Sequence, residues 1–181
     1  MKRRSSKGTP VRAALVSGSI LLPEVQDGLD ALKGAHKNYL HADVRADLDD
    51  SLDLDAALQP GHPGANRWDY LLGHGPSGRL VALEPHSARS DQVSTVIAKR
   101  AAALEQLRGH LRDGVHVATW LWVASGSVDF PDTVKEAKRL AQNGVAFAGR
   151  QVSKKHLPAE LSKPEGRGRG TKSQEARPSK R

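Results

Sequence analysis

Cysteine is absent from the chain, which excludes disulfides, thiolate metal sites and thiol nucleophiles and fits a cytoplasmic protein. Aromatic residues are scarce, with three Trp, two Tyr and two Phe in 181 residues, so the core must be built mainly from Leu, Val, Ile and Ala. No stretch approaches the roughly 20 consecutive apolar residues of a membrane helix. The short apolar run after the basic start is broken and is followed by no small-residue cleavage pattern, so neither a membrane span nor a signal peptide is expected. The phosphate-binding patterns GxxxxGK[ST] and GxGxxG after a strand are missing, as is the GxSxG of serine hydrolases. Eight histidines occur without a zinc spacing such as HxxxH on a confident helix.

What is present begins with charge. The net charge of +8 is unevenly placed: residues 1–12 carry five basic and no acidic groups, and residues 154–181 carry nine basic and three acidic ones. The stretch between them is mildly acidic. Basic ends of this kind can hold polyanions by counterion release, or serve only as solubilising arms. The end KKHLPAELSKPEGRGRGTKSQEARPSKR has almost no large apolar group and is expected to be disordered in isolation. Its GRGRG is similar to the arginine-glycine segments of single-strand nucleic-acid binders. The organisation expected is therefore a basic arm over 1–12, one domain over 13–153 and a basic tail over 154–181. About 140 residues can bury roughly two-thirds of their unfolded surface, enough for independent folding.

Along the domain, VQDGLDALKGAHKNYLHADVRADL predicts a helix with a loose stripe of Leu29, Leu32, Ala35 and Leu40. DLDDSLDLDAALQPGHPGANR packs five aspartates before a Pro/Gly loop, placing a boundary near Gln59. RWDYLLGH and RLVALEPHSA read as two strands joined by a hairpin-like turn at 75–78. Ser90 is suited to cap a helix with Val93, Val96, Ile97, Leu104, Leu107 and Leu111 on one face, ended by Gly114. VHVATWLWVASG has the near-continuous apolar pattern of a strand covered on both sides. Pro131 is expected to open another helix, with Val134, Ala137, Leu140 and Ala141 inward, stopped by Asn143 and Gly144. VAFAGRQV follows as a last strand. A hairpin followed by strands separated by helices implies an α/β fold, a mixed sheet flanked by helices.

Glu84 and His86 stand two apart in a strand and therefore share a face. If the strand holding Asp69 is the neighbour, Asp69 and Glu84 can converge on a hard divalent ion such as Mg²⁺ or Mn²⁺. Such an ion activates water and neutralises charge at a phosphate. Trp120 and Trp122 alternate along an apolar strand and read as core rather than as a base-stacking surface. Trp68, between Arg67 and Asp69, is placed at the edge of the proposed site.

Together, RWDYLLG, LEPHSA, QVSTVIAK and WLWVASG resemble the PD-(D/E)XK nuclease superfamily, in an uncharacterised bacterial branch, over roughly residues 49–152. That superfamily's core runs helix, strand, strand, helix, strand, with an Asp on one strand and a Glu-x-Lys on the next. The resemblance implies a restriction-endonuclease-like core in which Asp69 matches the Asp, Glu84 the acidic member and His86 the position usually held by Lys. A lysine is a permanent cation, whereas a histidine is neutral for much of its population near pH 7. Some members carry the lysine on the following helix, where Lys99 stands. By angular position Lys99 falls off the predicted apolar face, so a solvated lysine is the competing reading. Members often add an acid from the first helix. Asp49, Asp50, Asp53 and Asp55 are available, and Asp53 or Asp55 is preferred because the alternation in SLDLD would anchor it.

The catalytic set implied is Asp69, Glu84, His86 and Lys99, with Asp69, Glu84 and Asp53 as metal ligands for Mg²⁺ or Mn²⁺. The function implied is a metal-dependent nuclease-like hydrolase acting on DNA or RNA phosphodiesters. The alternative is an inactive module on the same fold that binds nucleic acid or a protein partner through its basic ends. A toxin or defence component is compatible with the small size.

Overall fold

Residues 8–129 and 134–161 are described by the computed structural model, and they are organised around a six-stranded mixed sheet whose strands lie in chain order. The strands are β1 (Gln26–Asp27), β2 (Leu48–Asp53), β3 (Tyr70–His74), β4 (Arg79–Arg89), β5 (Val117–Asp129) and β6 (Ala146–Phe147). The first four pair antiparallel, while β4, β5 and β6 pair parallel. Parallel neighbours need long crossovers. These are supplied by helix α4 (Val93–Leu107), between β4 and β5, and α5 (Val134–Gln142), between β5 and β6. Shorter helices α1 (Pro10–Ala14), α2 (Ala42–Arg45) and α3 (Leu54–Leu58) complete the fold.

Side chains alternate across the sheet, so β4 and β5 feed two cores. Leu80, Ala82, Trp120 and Trp122 pack with Val93, Val96, Ala103 and Leu107 of α4, Val11 of α1 and Leu54 of α3. Val81, Leu83, Leu121 and Val123 face the other way, against Leu32, Leu40, Val44 and Val152. Burial on both faces explains the near-continuous apolar run of β5, and the two tryptophans are core as expected. Trp68 is core too: it is fully buried and meets Trp120 edge-on, with centroids 5.1 Å apart, instead of edging a site.

The hairpin is as predicted. Gly75, Pro76, Ser77 and Gly78 turn the chain, with Gly78 at φ 65°, a left-handed value that suits glycine. Four expectations are corrected. The predicted helix over residues 25–48 is replaced by β1, a 3₁₀ segment at Gly34–Tyr39 and α2, because Gly28 turns at φ 54° and the leucines cover the second core from a loop. The aspartate-rich stretch, offered as an acid from a first helix, forms β2 and the start of α3, and Asp50 within it is fully buried. Ser90 opens a 3₁₀ turn (Ser90–Gln92) instead of capping α4 with its side chain, and α4 ends at Leu107, well before Gly114. Leu104, placed on the inner face, is 43% exposed.

The folded body also reaches past residues 13 and 153. Val11 is fully buried, and the Leu161 N–H donates to the Pro76 carbonyl at 3.1 Å, tying residues 154–161 to the hairpin turn. Pro131, the first seven residues and the GRGRG segment lie outside the described residues, and with them most of the two basic ends. Among the described residues no helix is long and apolar enough to cross a membrane.

Asp50 is what brings α1 onto the sheet. Its carboxylate accepts from the backbone N–H of Val11 (3.1 Å) and of Arg12 (3.0 Å) and from the Thr9 hydroxyl. These are free donors at a helix start, and a carboxylate satisfies them well. Gly73 on neighbouring β3 makes the room, since a Cβ there would stand 1.9 Å from Asp50 Oδ1. Gly73→Ala is therefore expected to destabilise the protein by about 2–3 kcal/mol in urea unfolding, through overpacking and loss of charge-assisted hydrogen bonds. The same substitution in an Asp50→Ala background should cost much less.

Candidate functional site

Register decides which groups meet. Tyr70 pairs with Leu83 across the β3–β4 hairpin, so the residue before β3, Asp69, stands level with Glu84. Asp69 is thus one residue outside the strand in which the sequence placed it, but on the expected neighbour. Its backbone N–H donates to Glu84 Oε2 at 3.0 Å, while its carbonyl accepts from Leu54 N at 2.8 Å and so fixes it against α3.

Glu84 lies on the same side of β4 as Leu80 and Ala82, under α4. There it meets Lys99. The ammonium donates to Glu84 Oε1 in a close contact and to Asp69 Oδ1 at 3.4 Å, bridging both carboxylates. Lys99 is therefore not the solvated lysine that its predicted angular position implied. The buried face of α4 runs through Val93, Val96, Ala103, Gln106 and Leu107, and Lys99 falls three residues after Val96 and four before Ala103, in the middle of it. The predicted face lacks Ala103 and Gln106, which are buried on the Lys99 side of α4.

His86 shares the face of Glu84, as i and i+2 positions require. Its Nδ1 is 3.6 Å from Glu84 Oε1, and its Nε2 is 3.0 Å from Gln92 Oε1. Nε2–H can donate to Gln92 Oε1, and Nδ1 faces Glu84. The Trp122 indole donates to the His86 carbonyl at 3.2 Å, which steadies that strand end. Gln92 and Trp122 were not foreseen as supports, since only the tertiary fold brings them beside His86.

Exposure separates the roles. The Glu84 side chain is 0% exposed, Lys99 16%, Asp69 24% and His86 27%, so an incoming molecule reaches Asp69 and His86 first. Burial, reinforced by the Asp69 charge, pushes the Glu84 carboxyl up to about 8 against the opposing pull of Lys99. A carboxyl so placed holds or gives up a proton near neutral pH, the property expected of an acid-base group.

Asp53 stands apart from this cluster in role: its carboxylate caps α3 by accepting from Ala56 N at 2.9 Å. Asp55 is held by Arg67 at 2.8 Å, and Asp50 is committed to α1. Among the described residues no group of three or more His, Asp or Glu side chains is arranged to hold a metal ion. The pair Asp69 and Glu84 does offer hard oxygen donors that already converge on one cationic group, and Mg²⁺ is commonly held by one or two carboxylates with water completing its shell. The two carboxylates fit such an ion; a third protein carboxylate from the aspartate run does not join them. Comparison with protein-family models, with curated proteins and with solved structures found no match.

The raised Glu84 pKa has a measurable consequence. Between the ordinary 4.5 and about 8, the folded state keeps a proton that the unfolded state has released, so stability is full below 4.5 and declines as pH rises through about 8. In chelator-treated buffer the unfolding free energy of the wild type is expected to fall over that window by on the order of a few kcal/mol. Glu84→Gln, which keeps a neutral hydrogen-bonding group there, should flatten the decline. An unchanged pH profile in the variant would remove Glu84 as its source.

Proposed function

We propose that the chain is a nuclease-like phosphodiesterase of the PD-(D/E)XK type, with Asp69, Glu84 and Lys99 as its active group. The observation that carries this reading is the Lys99 ammonium reaching both carboxylates from α4. It supplies the permanent cation that the His86 substitution removes from the strand. The antiparallel hairpin followed by a helical crossover to a parallel strand supports a restriction-endonuclease-like core in the same way.

In this reading Asp69 and Glu84 hold a divalent cation, which when bound supplies charge neutralisation at a phosphate and acidifies a water. Lys99 stabilises the negative charge that develops on the phosphate, a service a fixed cation in a water-poor site performs well. His86, beside Glu84 on the same face of β4, is a group able to take a proton from the attacking water. The basic ends of the chain would hold the polyanion by counterion release.

Asp69→Asn, Glu84→Gln and Lys99→Met are each expected to reduce cleavage of DNA or RNA in Mg²⁺ or Mn²⁺ by at least about a hundredfold, while His86→Gln loses about tenfold or less. Gel-resolved cleavage with folded proteins, checked by circular dichroism, measures this. Wild-type protein inert on both nucleic acids with both metals would reject the catalytic reading.

One observation favours the second reading, a catalytically silent binding module: Lys99 already neutralises the carboxylates that a metal would need. In that case Mn²⁺ does not bind in calorimetry, and nucleic-acid affinity survives Asp69→Asn and Glu84→Gln. Removal of residues 162–181 would then weaken binding and flatten its dependence on salt.

A further inference from the structure

Next to Lys99 in α4, and about 100° round the helix from it, Arg100 presents a cation with no counter-ion. Its Nε is buried without a hydrogen-bond partner, and no carboxylate pairs with it among the described residues. Burial alone pushes its pKa down, with no acidic neighbour acting against the shift. The guanidinium lies 5.3 Å from the centroid of the Trp120 ring. It also occupies the space left by Gly144, where a Cβ would come within 2.7 Å of Nη2. Arg100 is half-buried with Nε unsatisfied, and a guanidinium held against an indole without an anion marks a place where one can bind.

Arg100 forms one wall of a cavity of about 490 Å³ at the C-terminal end of α4 and the start of β5. Arg108, Arg112 and His116 line the same cavity, against a single acidic residue, Asp113. Arg112 is anchored through Nε to the Leu15 carbonyl at 3.0 Å, and Arg108 is paired only at the surface, with Glu105 at 2.9 Å. The remaining wall is apolar and open. Leu104 and Val115, two of the few exposed large hydrophobic residues, stand there at 43% and 36% exposure. The volume lies within the range of ligand pockets, roughly 300–1,000 Å³.

We infer that this cavity is a binding site for a phosphomonoester carried on a flat apolar body, the chemistry of a mononucleotide. Guanidinium forks match phosphate oxygens in pairs, and three of them against Asp113 and the Glu105 that pairs with Arg108 leave an excess of positive charge suited to a phosphate. The apolar wall receives the body of the ligand. The site is separate from Glu84 and does not depend on catalysis there. Two sources carry the same chemistry, a free nucleotide and the phosphorylated end of a strand.

Calorimetric titration of the full chain with AMP, adenosine and inorganic phosphate tests the assignment. AMP is expected to bind, adenosine not to bind, and inorganic phosphate to bind at least tenfold more weakly than AMP. Arg100→Gln should weaken AMP at least tenfold. Arg108→Ser, at an exposed position that leaves folding intact, should weaken it severalfold, and Glu84→Gln should bind AMP as the wild type does. A 5′-phosphorylated oligonucleotide that binds more tightly than its 5′-hydroxyl counterpart, with the difference lost in Arg100→Gln, assigns the site to a strand end, and the absence of that difference assigns it to a free nucleotide. The proposal is overturned if AMP fails to bind, if adenosine binds equally well, or if folded Arg108→Ser and Arg100→Gln proteins both bind AMP unchanged. Because the Glu84→Gln protein is carried in parallel, failure here and failure of the nuclease reading are told apart.

Discussion

The pairing of Tyr70 with Leu83 across one hairpin is the constraint from which the rest of the site follows. It sets the Asp69 backbone N–H opposite the Glu84 carboxylate and leaves the second Glu84 oxygen facing the helix that must cross back over the sheet. A slip of one residue would turn Glu84 into the other core, where Leu83 now packs among Val81, Leu121 and Val123. The tight turn at residues 75–78 and the two-sided apolar burial of β4 hold that register. The carboxylate is buried because the fold is built around it, and Lys99 is where the fold answers it.

A buried Glu-Lys pair is weak support for stability, because desolvating both partners offsets much of their attraction. The position of this pair, beside the part-exposed Asp69 and His86, is better understood through chemistry than through stability. Asp50 provides the contrast. It is equally buried, but it is satisfied by the start of α1 and by a space that only Gly73 leaves open. One acidic residue closes the fold through donors at a helix start and another is bridged to a lysine, and the difference lies in their hydrogen-bond partners. Arg100 is a third case, a cation whose neighbours are an indole and a glycine.

Much of this was legible from residue patterns. The hairpin, the long helix after it, the apolar strand with two inward tryptophans and the shared face of Glu84 and His86 all follow from local periodicity and turn chemistry. Local patterns misled where a residue's neighbour comes from far along the chain. Residues 25–48 have enough leucines for a helical stripe, yet those leucines cover the far face of the sheet from a loop. The aspartates of β2 have the composition of a solvated run, yet Asp50 is buried by a helix forty residues upstream.

The amino-acid order by itself determined that the chain is an α/β protein without cysteine chemistry, and that Asp69 stands beside the strand that carries Glu84 and His86, because turn residues and side-chain alternation act over a few positions. Only the tertiary structure decided that Lys99 faces inward, that Asp53 is a helix cap and that Arg100 has no anion. The Lys99 and Arg100 outcomes depend on how α4 is rotated against the sheet, which is set by packing across the whole core, while the Asp53 cap depends on where β2 ends and α3 begins.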